Sequence, residues 1–509
     1  MTKIFYNNYT LSILFLSIPF LEFINTNFHL IDESISFVLL LIFLSIMIIF
    51  FSINFILSRI KYFDSGFYLL FLSTAFIISF NFLDLKNSIS NFSQHSFYIS
   101  IIILLISYLF LFFLINNKKF KIFFFFFVYF SLIYHLFISY SSISENKISS
   151  QSSNTEDNHI FSEPINNNLN SKQNIYYFIL DGMTSLKYFK KSFPKNENAI
   201  LNNYIDFIKS KKFVVHDDTN SNYNSTYLSM AALLLLDYPV TETSNKYFDR
   251  VNFWPYLLNN PNKKPRLISI LEKNNMSFKW YGNITASCKN YSYNKRFCPD
   301  ESVSNFFYVF NSFFKKTPLI TFLRKFFPKL MLAGYGDNID AINNFLNDFD
   351  NLKITDKKFY LIHHLAPHAP YIHNSDCSLK NESTGFIADK GFKGYEDAYI
   401  CALKRINQAI QKILNKDPNS FIVFTADHGW ILENEKNIKN KEMLRFEIFN
   451  AFKIKEDCNK FVSEKIDSIS TIRLVLGCNI NRKPIFTNSR SYLSYQEINE
   501  NFGKVFRAF

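Results

Sequence analysis

The chain has 509 residues, a length that allows two domains, and 48% of them are hydrophobic. A general abundance of Lys, Asn, Ile and Phe accounts for the larger share of its formal net charge of +13, and attraction to anionic lipid headgroups or anionic substrates is the alternative. We expect no nucleic-acid partner, because the polar half of the chain is predicted below to lie outside the cytosol.

Residues 1–140 contain five apolar stretches, at 11–24, 35–57, 67–83, 97–115 and 122–140. A membrane-spanning helix needs ~20 mostly apolar residues, which the second, fourth and fifth stretches supply and the third nearly supplies. The first carries Pro19 and Glu22. A signal peptide is its alternative, but four further stretches follow and no small-residue cleavage site is evident. We predict an N-terminal bundle of about five transmembrane helices.

Charged residues in the loops orient this bundle, since an excess of Lys and Arg marks the cytoplasmic side. One set of loops carries Lys3, Arg59, Lys61, Lys118, Lys119 and Lys121, and the other carries Asp32, Glu33, Asp84 and Lys86. With five spans and the N-terminus inside, everything after residue 140 lies outside the cytosol. This predicts a multi-pass protein of a bacterial inner membrane whose C-terminal domain is in the periplasm or beyond.

All six cysteines lie in the exported part, and an even number in an oxidising compartment indicates disulfides. Pairing between sequence neighbours is the simplest connectivity: Cys288 with Cys298, Cys377 with Cys401, and Cys458 with Cys478. Buried free thiols are the alternative. The chain has no Cys-x-x-Cys motif that would indicate a metal site.

A polar linker is expected at 141–174, followed by an exported domain at 175–509. Apolar runs at 174–180, 359–364 and 421–426 predict buried strands. Residues 395–414 carry apolar residues at helical spacing. Strands that alternate with helices predict an α/β domain, an α/β/α sandwich with a mostly parallel sheet.

Chemistry-bearing residues follow each predicted strand. Asp181 ends the first, the segment 363–368 ends the second, and Asp427 and His428 end the third. Ligands of α/β sheets bind beyond the carboxyl ends of the strands, so we expect these side chains to converge. Carboxylate and imidazole together suit Zn²⁺ or Mn²⁺, and Gly429 allows a tight turn beside an ion. A plain Asp-Gly turn is the alternative for Asp181.

Thr226 is the candidate nucleophile. An apolar helix is predicted to begin at Ser225 or Thr226, and a hydroxyl there lies in the positive potential of the helix N-terminus. Helix capping is the alternative role, and Ser225 is chemically as capable as its neighbour. A threonine needs a metal or a base to lose its proton, and Asp181, Asp427 and His428 could supply that metal.

Three histidines occur within residues 363–368, and prolines at 367 and 370 frame His368. His364 and His368 could ligate a second ion, bind substrate oxygens or protonate a leaving group. One core histidine and two solvent-facing ones are the alternative.

Two arginines and two tryptophans are further candidates. Arg445 or Arg473 could clamp an anionic substrate or form a structural salt bridge. Trp280 and Trp430 could line a cleft or pack in the core.

Four motifs in order resemble the sulfatase-like branch of the alkaline phosphatase superfamily. They are Ile-Leu-Asp-Gly at 179–182, Asn-Tyr-Asn-Ser-Thr-Tyr-Leu-Ser at 222–229, His-Leu-Ala-Pro-His-Ala-Pro-Tyr at 364–371 and Asp-His-Gly at 427–429. The membrane anchor before an exported domain is similar to that of phosphoethanolamine transferases and lipoteichoic acid synthases.

This resemblance implies roles for particular residues. Asp181, Thr226, Asp427 and His428 would bind one divalent ion, Zn²⁺ or Mn²⁺ in the first place and Ca²⁺ or Mg²⁺ otherwise. Thr226 would form a covalent phospho- or sulfo-enzyme, and His368, with His364, would contact the transferred group. Ser229, three residues after the nucleophile, would be structural.

The sequence departs from the family pattern at two places. Formylglycine sulfatases carry Cys/Ser-x-Pro-x-Arg at the nucleophile, whereas this chain reads Thr-Tyr-Leu-Ser-Met at 226–230. Gly182 stands where sulfatases have a second aspartate, and phosphoethanolamine transferases have glutamate at the position of Asp181.

The expected function is therefore metal-dependent hydrolysis or transfer at a phosphate or sulfate ester of an envelope lipid or glycan, with His368 and Arg445 binding substrate. A glycan sulfatase or phosphatase of the same fold is one alternative. A catalytically silent envelope-organising protein is the other.

Overall fold

The structure is a computed structural model of the full chain. It describes residues 8–26, 33–59, 66–80, 82, 85, 96–115, 117, 119–120, 122–123, 126, 129–131, 133–134, 160–165, 173–193, 195–239, 241, 265–282, 309–310, 313–314, 317–326, 340–354, 357–369, 371–380, 392–430, 443–462, 465–487, 489–494 and 505–508. The chain forms two compact units. The helical unit comprises Met1–Asn154 and Val303–Gly334, and the α/β unit comprises Thr155–Ser302 and Tyr335–Phe509.

The helices are α1 (Asn8–Thr26), α2 (Glu33–Leu57), α3 (Phe67–Ser79), α4 (Ser96–Ile115), α5 (Leu186–Ser192), α6 (Lys195–Ser210), α7 (Thr226–Leu235), α8 (Arg266–Lys273), α9 (Pro318–Phe326), α10 (Ala341–Phe349), α11 (Phe392–Lys416) and α12 (Ser468–Asn479). The strands are β1 (Phe161–Pro164), β2 (Ile175–Leu180), β3 (Val214–Val215), β4 (Ser277–Tyr281), β5 (Lys358–His364), β6 (Phe421–Thr425), β7 (Asn450–Lys453), β8 (Arg482–Pro484), β9 (Tyr492–Ser494) and β10 (Val505–Arg507).

Two segments of the described chain, Ser36–Leu57 in α2 and Tyr98–Ile115 in α4, are long and apolar enough to cross a membrane. Both expose large apolar side chains, as lipid-facing helices do. The predicted first and third spans form the shorter apolar helices α1 and α3. The predicted fifth span, 122–140, lies largely outside the described residues, so the bundle of five helices stays a prediction.

The α/β unit is built on a six-stranded sheet with the order β3-β7-β6-β2-β5-β4. Strands β6, β2, β5 and β4 are parallel to one another, and β7 runs antiparallel to both of its neighbours. The three strands and the long helix expected from the sequence are present as β2, β5, β6 and α11. The α/β prediction is confirmed, and the antiparallel β7 makes the sheet mixed.

Alternating residues of the central strands face two different layers, because successive side chains of a strand point to opposite sides. Tyr177 and Ile179 pack in a cluster with residues of α7, α8 and α12. Tyr176 and Phe178 pack in a cluster with residues of α5, α6, α10 and α11. The sheet is therefore covered on both faces, which explains why all six residues of β2 are buried.

Two disulfides link sequence neighbours in the α/β unit, Cys377 with Cys401 and Cys458 with Cys478. Both pairings were predicted from the sequence and are confirmed. Cys288 and Cys298 lie outside the described residues.

Candidate functional site

Asp181 directly follows β2 at the carboxyl edge of the parallel strands. Its backbone N–H donates to the carbonyl of His364 (2.9 Å), which extends the β2–β5 pairing by one residue. Gly182 then adopts a positive φ of 70°, a conformation that side-chain-bearing residues rarely adopt. Tyr395 fixes the turn, because its hydroxyl donates to the Gly182 carbonyl (2.8 Å) and accepts from the Thr184 N–H (3.1 Å).

Asp427 and His428 follow β6 at the same edge. Oδ1 of Asp427 accepts from the backbone N–H groups of Gly182 (3.0 Å) and His428 (2.8 Å), so one carboxylate oxygen ties the two strand ends together. A Cβ at Gly429 would collide with the carbonyl oxygen of Glu447, so glycine is required there for packing.

The imidazole of His428 has a defined orientation. Its Nδ1 lies 2.8 Å from the carbonyl oxygen of Gly429. A carbonyl oxygen only accepts hydrogen bonds, so we assign the proton to Nδ1 and the free lone pair to Nε2. A metal ion would therefore bind this imidazole through Nε2.

Asp181, Asp427 and His428 form a buried cluster in which the potential ligand atoms lie within 4.8 Å of one another. Nε2 of His428 is 3.7 Å from Oδ1 of Asp181 and 3.5 Å from Oδ2 of Asp427. Among the described residues neither of these two oxygens has a hydrogen-bond partner, although both are buried. Buried carboxylate oxygens without partners are costly, so the cluster fits a divalent cation of the Zn²⁺ or Mn²⁺ type.

Thr226 is the first residue of α7, and its Oγ1 lies 3.2 Å from Nε2 of His428. With the lone pair on Nε2, the threonine hydroxyl is the donor. Ser225 occupies the N-cap position, but its side chain makes no capping hydrogen bond. The hydroxyl of Ser229 donates to the carbonyl of Tyr223 (3.1 Å), which agrees with a structural role.

The neighbouring histidines of β5 face opposite layers. In the β2–β5 register His363 pairs with Ile179, and its Nε2 lies 3.6 Å from Oδ2 of Asp181. His364 pairs with Leu180 and faces the other layer, where Asp340, His373 and Arg405 act on it electrostatically. Burial lowers the pKa of His364 to about 4.

The structure thus places His363, which the sequence did not single out, beside the cluster. It places His364, a predicted catalytic residue, on the opposite face of the sheet. The period-two alternation of β5 would have separated the two histidines.

His368 and Trp430 border the cluster. The His368 ring centroid lies 6.3 Å from that of His428 and 5.0 Å from that of Trp430. Nδ1 of His368 is 2.6 Å from the Ala369 carbonyl, so the same reasoning leaves its Nε2 available. Trp430 also stacks on Tyr395 with an interplanar angle of 8°. Of the two predicted cleft tryptophans, Trp430 lies at the site and Trp280 is buried in the core.

The two candidate arginines have different environments. Nη2 of Arg445 lies 3.4 Å from Nε2 of His428, so this guanidinium reaches the cluster. Arg473 instead donates to the carbonyls of Leu236 and Ile485, both at 2.8 Å. Arg445 is therefore at the cluster, and Arg473 holds two backbone carbonyls away from it.

The electrostatics of the cluster favour a bound cation. Burial alone would raise the pKa of the Asp181 carboxyl, but His368, His363 and His428 together hold it below its usual range. Burial also lowers the pKa of His428, although Asp427 opposes this effect. An ionised carboxylate is the form of Asp181 that a metal ligand requires.

No family model and no curated protein matches the chain. Solved structures similar to it include the zinc complex of the C-terminal periplasmic domain of EptC from Escherichia coli, at 11% identity and a TM-score of 0.40, covering 68% of this chain and 95% of that one. Another is lipooligosaccharide phosphoethanolamine transferase A from Neisseria meningitidis, at 13% identity and a TM-score of 0.40, covering 94% of this chain and 97% of that one. A third is an alkaline phosphatase superfamily protein from Vibrio parahaemolyticus, at 11% identity and a TM-score of 0.39, covering 68% and 79%. One of these similar structures, the Vibrio parahaemolyticus protein, is a member of the superfamily that the four motifs resemble. At such identities and TM-scores the likeness assigns no activity.

Proposed function

We propose that this protein is a metal-dependent hydrolase or transferase that acts on a phosphate or sulfate ester of an envelope lipid or glycan, with Thr226 as the nucleophile. One observation carries the proposal. The Thr226 hydroxyl lies 3.2 Å from the same imidazole nitrogen that lies within 3.7 Å of two unpartnered, buried carboxylate oxygens. A purely structural polar cluster would have its oxygens paired.

Asp181, Asp427, His428 and Thr226 would hold one divalent ion. The histidine nitrogen favours Zn²⁺ or Mn²⁺ over Ca²⁺ and Mg²⁺, which prefer ligand sets made of oxygen. Such an ion would lower the pKa of the threonine hydroxyl and neutralise negative charge on the transferred group.

The protein's own groups then account for the covalent step. Oγ1 of Thr226 forms a bond to phosphorus or sulfur while the bond to the leaving alcohol oxygen breaks. Thr226 gives up its proton to solvent, and His368, protonated on Nε2, gives one to the leaving oxygen, so protons balance. Water or a second alcohol then forms a bond to the same phosphorus or sulfur while the bond to Oγ1 breaks. The proton of this second nucleophile passes to His368, and Thr226 regains its hydroxyl proton from solvent. Water makes the protein a hydrolase, and an alcohol makes it a transferase.

Two further residues would position the substrate. The guanidinium of Arg445 reaches the cluster and can donate two parallel hydrogen bonds to an anionic ester. The indole of Trp430 borders His368 and offers an apolar face to the leaving group. Phosphate is favoured over sulfate, because the nucleophile position lacks the sequence that is oxidised to formylglycine.

The test uses the full chain in detergent or nanodiscs with added Zn²⁺ or Mn²⁺. Initial rates are compared on a chromogenic phosphodiester and a chromogenic sulfate ester for wild type, Thr226→Ala and the matched control Ser225→Ala. We expect phosphodiester turnover that falls by roughly three orders of magnitude or more in Thr226→Ala and persists in Ser225→Ala.

Other outcomes have distinct meanings. Faster sulfate turnover would make the protein a sulfatase that works without formylglycine. A covalent adduct on Ser225 would overturn the nucleophile assignment. Wild-type protein that binds metal but turns over neither ester, nor any envelope lipid or glycan offered, would favour the silent envelope protein.

A further inference from the structure

The segment Val303–Gly334 belongs to the helical unit, although both of its sequence neighbours belong to the α/β unit. The chain leaves the α/β unit after β4 and returns to it before α10. Within this excursion Phe313 contacts the helical unit, since its ring centroid lies 4.3 Å from that of Phe20 in α1. The centroid of Phe80, at the end of α3, lies 5.3 Å away.

These contacts fall at one end of three helices. Phe20 and Phe23 lie in the last two turns of α1, and Leu39 and Ile42 lie in the first three turns of α2. Phe80 caps the C-terminus of α3. The excursion therefore packs at a single end of these three helices. The loop charges predict that this end is outside the cytosol.

Helix α9, at the end of the described excursion, has apolar residues on a buried face and on an exposed face. Ile320 is fully buried in the aromatic cluster, and Leu323 packs against the same cluster. Leu319 and Phe322, three positions apart and hence on one face, are 41% and 46% exposed. The sequence of the helix also contains Arg324 and Lys325.

Exposed apolar residues are distributed unevenly between the two units. In the described part of the α/β unit, only Leu379 and Ile485 are large apolar residues with exposed side chains. All other exposed large apolar residues among those described lie in the helical unit, many of them on α2 and α4. Leu319 and Phe322 follow the pattern of the lipid-facing helices, so lipid is the occupant that the surface favours.

We propose that helix α9, Pro318–Phe326, lies in the lipid interface, with Leu319 and Phe322 against acyl chains. Residues Val38 and Phe43 of the apolar helix α2 pack on the same aromatic cluster as Leu323 of α9. Interfacial helices bury their apolar face about 5–10 Å into the headgroup boundary, and basic residues add attraction to anionic lipids. This inference does not depend on the reaction proposed above.

The test places a fluorophore on the exposed face in the full chain. Phe322→Trp and the control Leu379→Trp, which alters the 67% exposed residue of the α/β unit, are reconstituted into liposomes. The emission of the three native tryptophans is subtracted with wild-type protein. We expect lipids brominated in their acyl chains to quench most of the added emission of Phe322→Trp, and aqueous acrylamide to quench that of Leu379→Trp.

The opposite pattern would overturn the proposal. If acrylamide quenches Phe322→Trp as strongly as the control and brominated lipid does not, the helix faces water or an absent protein partner. Leu319→Trp repeats the measurement on the same face and guards against a local fault of one variant. Neither readout involves turnover, so failure here is separate from failure of the proposed reaction.

Discussion

Oγ1 of Thr226 lies 3.2 Å from Nε2 of His428, although 202 positions separate the two residues in the chain. The contact arises because α7 begins, and β6 ends, at the same edge of the sheet. That edge also carries Asp181, so a hydroxyl, an imidazole and two carboxylates meet in one buried place.

Metal binding should stabilise the wild type and leave Asp427→Asn unaffected. The amide keeps Oδ1, which accepts two backbone hydrogen bonds, but removes the charge that an ion needs. An ion present at one hundred times its dissociation constant adds about 2.7 kcal/mol to the free energy of unfolding. The unfolding midpoint of the full chain with and without Zn²⁺ or Mn²⁺ measures this. The surface variant Asp350→Asn should retain the wild-type shift, and an equal shift in Asp427→Asn would refute the ligand assignment.

His363→Gln should lower metal affinity or activity more than His364→Gln does. Of these two histidines, His363 is the one beside Asp181, and losing such a supporting residue costs roughly 10- to 100-fold in metal affinity or activity. Calorimetric metal titration and turnover on the better ester provide the two measurements. A larger effect from His364→Gln would mean that the assignment of the two strand faces is wrong.

The stability of the protein should fall in mild acid partly because of His364. The pKa of this histidine is lowered from 6.5 to about 4 by burial, so between these values only the unfolded chain binds the proton. The free energy of unfolding therefore decreases as pH falls from about 6.5 towards 4, and is unaffected by this group above that range. His364→Gln should reduce the change in unfolding midpoint between about pH 7 and about pH 4.5. If His364→Gln leaves the pH dependence of the unfolding midpoint unchanged, His364 is not buried as a neutral imidazole.

Arg445 and Arg473 should separate binding from folding. Arg445→Gln should raise KM for an anionic ester, because the guanidinium reaches the cluster, while the unfolding midpoint changes little. Arg473→Gln should lower the free energy of unfolding by about 2–3 kcal/mol, because two carbonyls lose a charged donor. Steady-state kinetics give KM for both variants, and thermal unfolding gives their unfolding midpoints. Equal kinetic effects would leave Arg445 without a special role.

The sequence predicted the central strands because each is a continuous apolar run that ends at a polar residue. That pattern also located Asp181, Asp427 and His428 at one edge, since parallel strands align their carboxyl ends. Strands β3 and β7 were not predicted, because two and four residues are too short to show a period. The pairing of Cys377 with Cys401 followed from proximity in the chain.

Three features depended on tertiary contacts that a single sequence does not display. The register of β5 against β2 was needed to decide which of His363 and His364 lies beside Asp181. The location of Trp430 required its stacking on Tyr395. The assignment of Val303–Gly334 to the helical unit required its packing on α1, α2 and α3, because Lys315, Lys316, Arg324 and Lys325 interrupt its apolar residues before they reach the ~20 of a span.

That last assignment bears on how the protein can be divided for study. A fragment that begins after residue 154 would retain Val303–Gly334 but lose the helices against which Phe313 and Ile320 are buried. The aromatic side chains of the retained segment would then face water and favour aggregation. A soluble fragment should therefore replace this stretch with a short polar linker as well as omit the N-terminal helices, so the boundary between the two units requires two separate excisions from the gene.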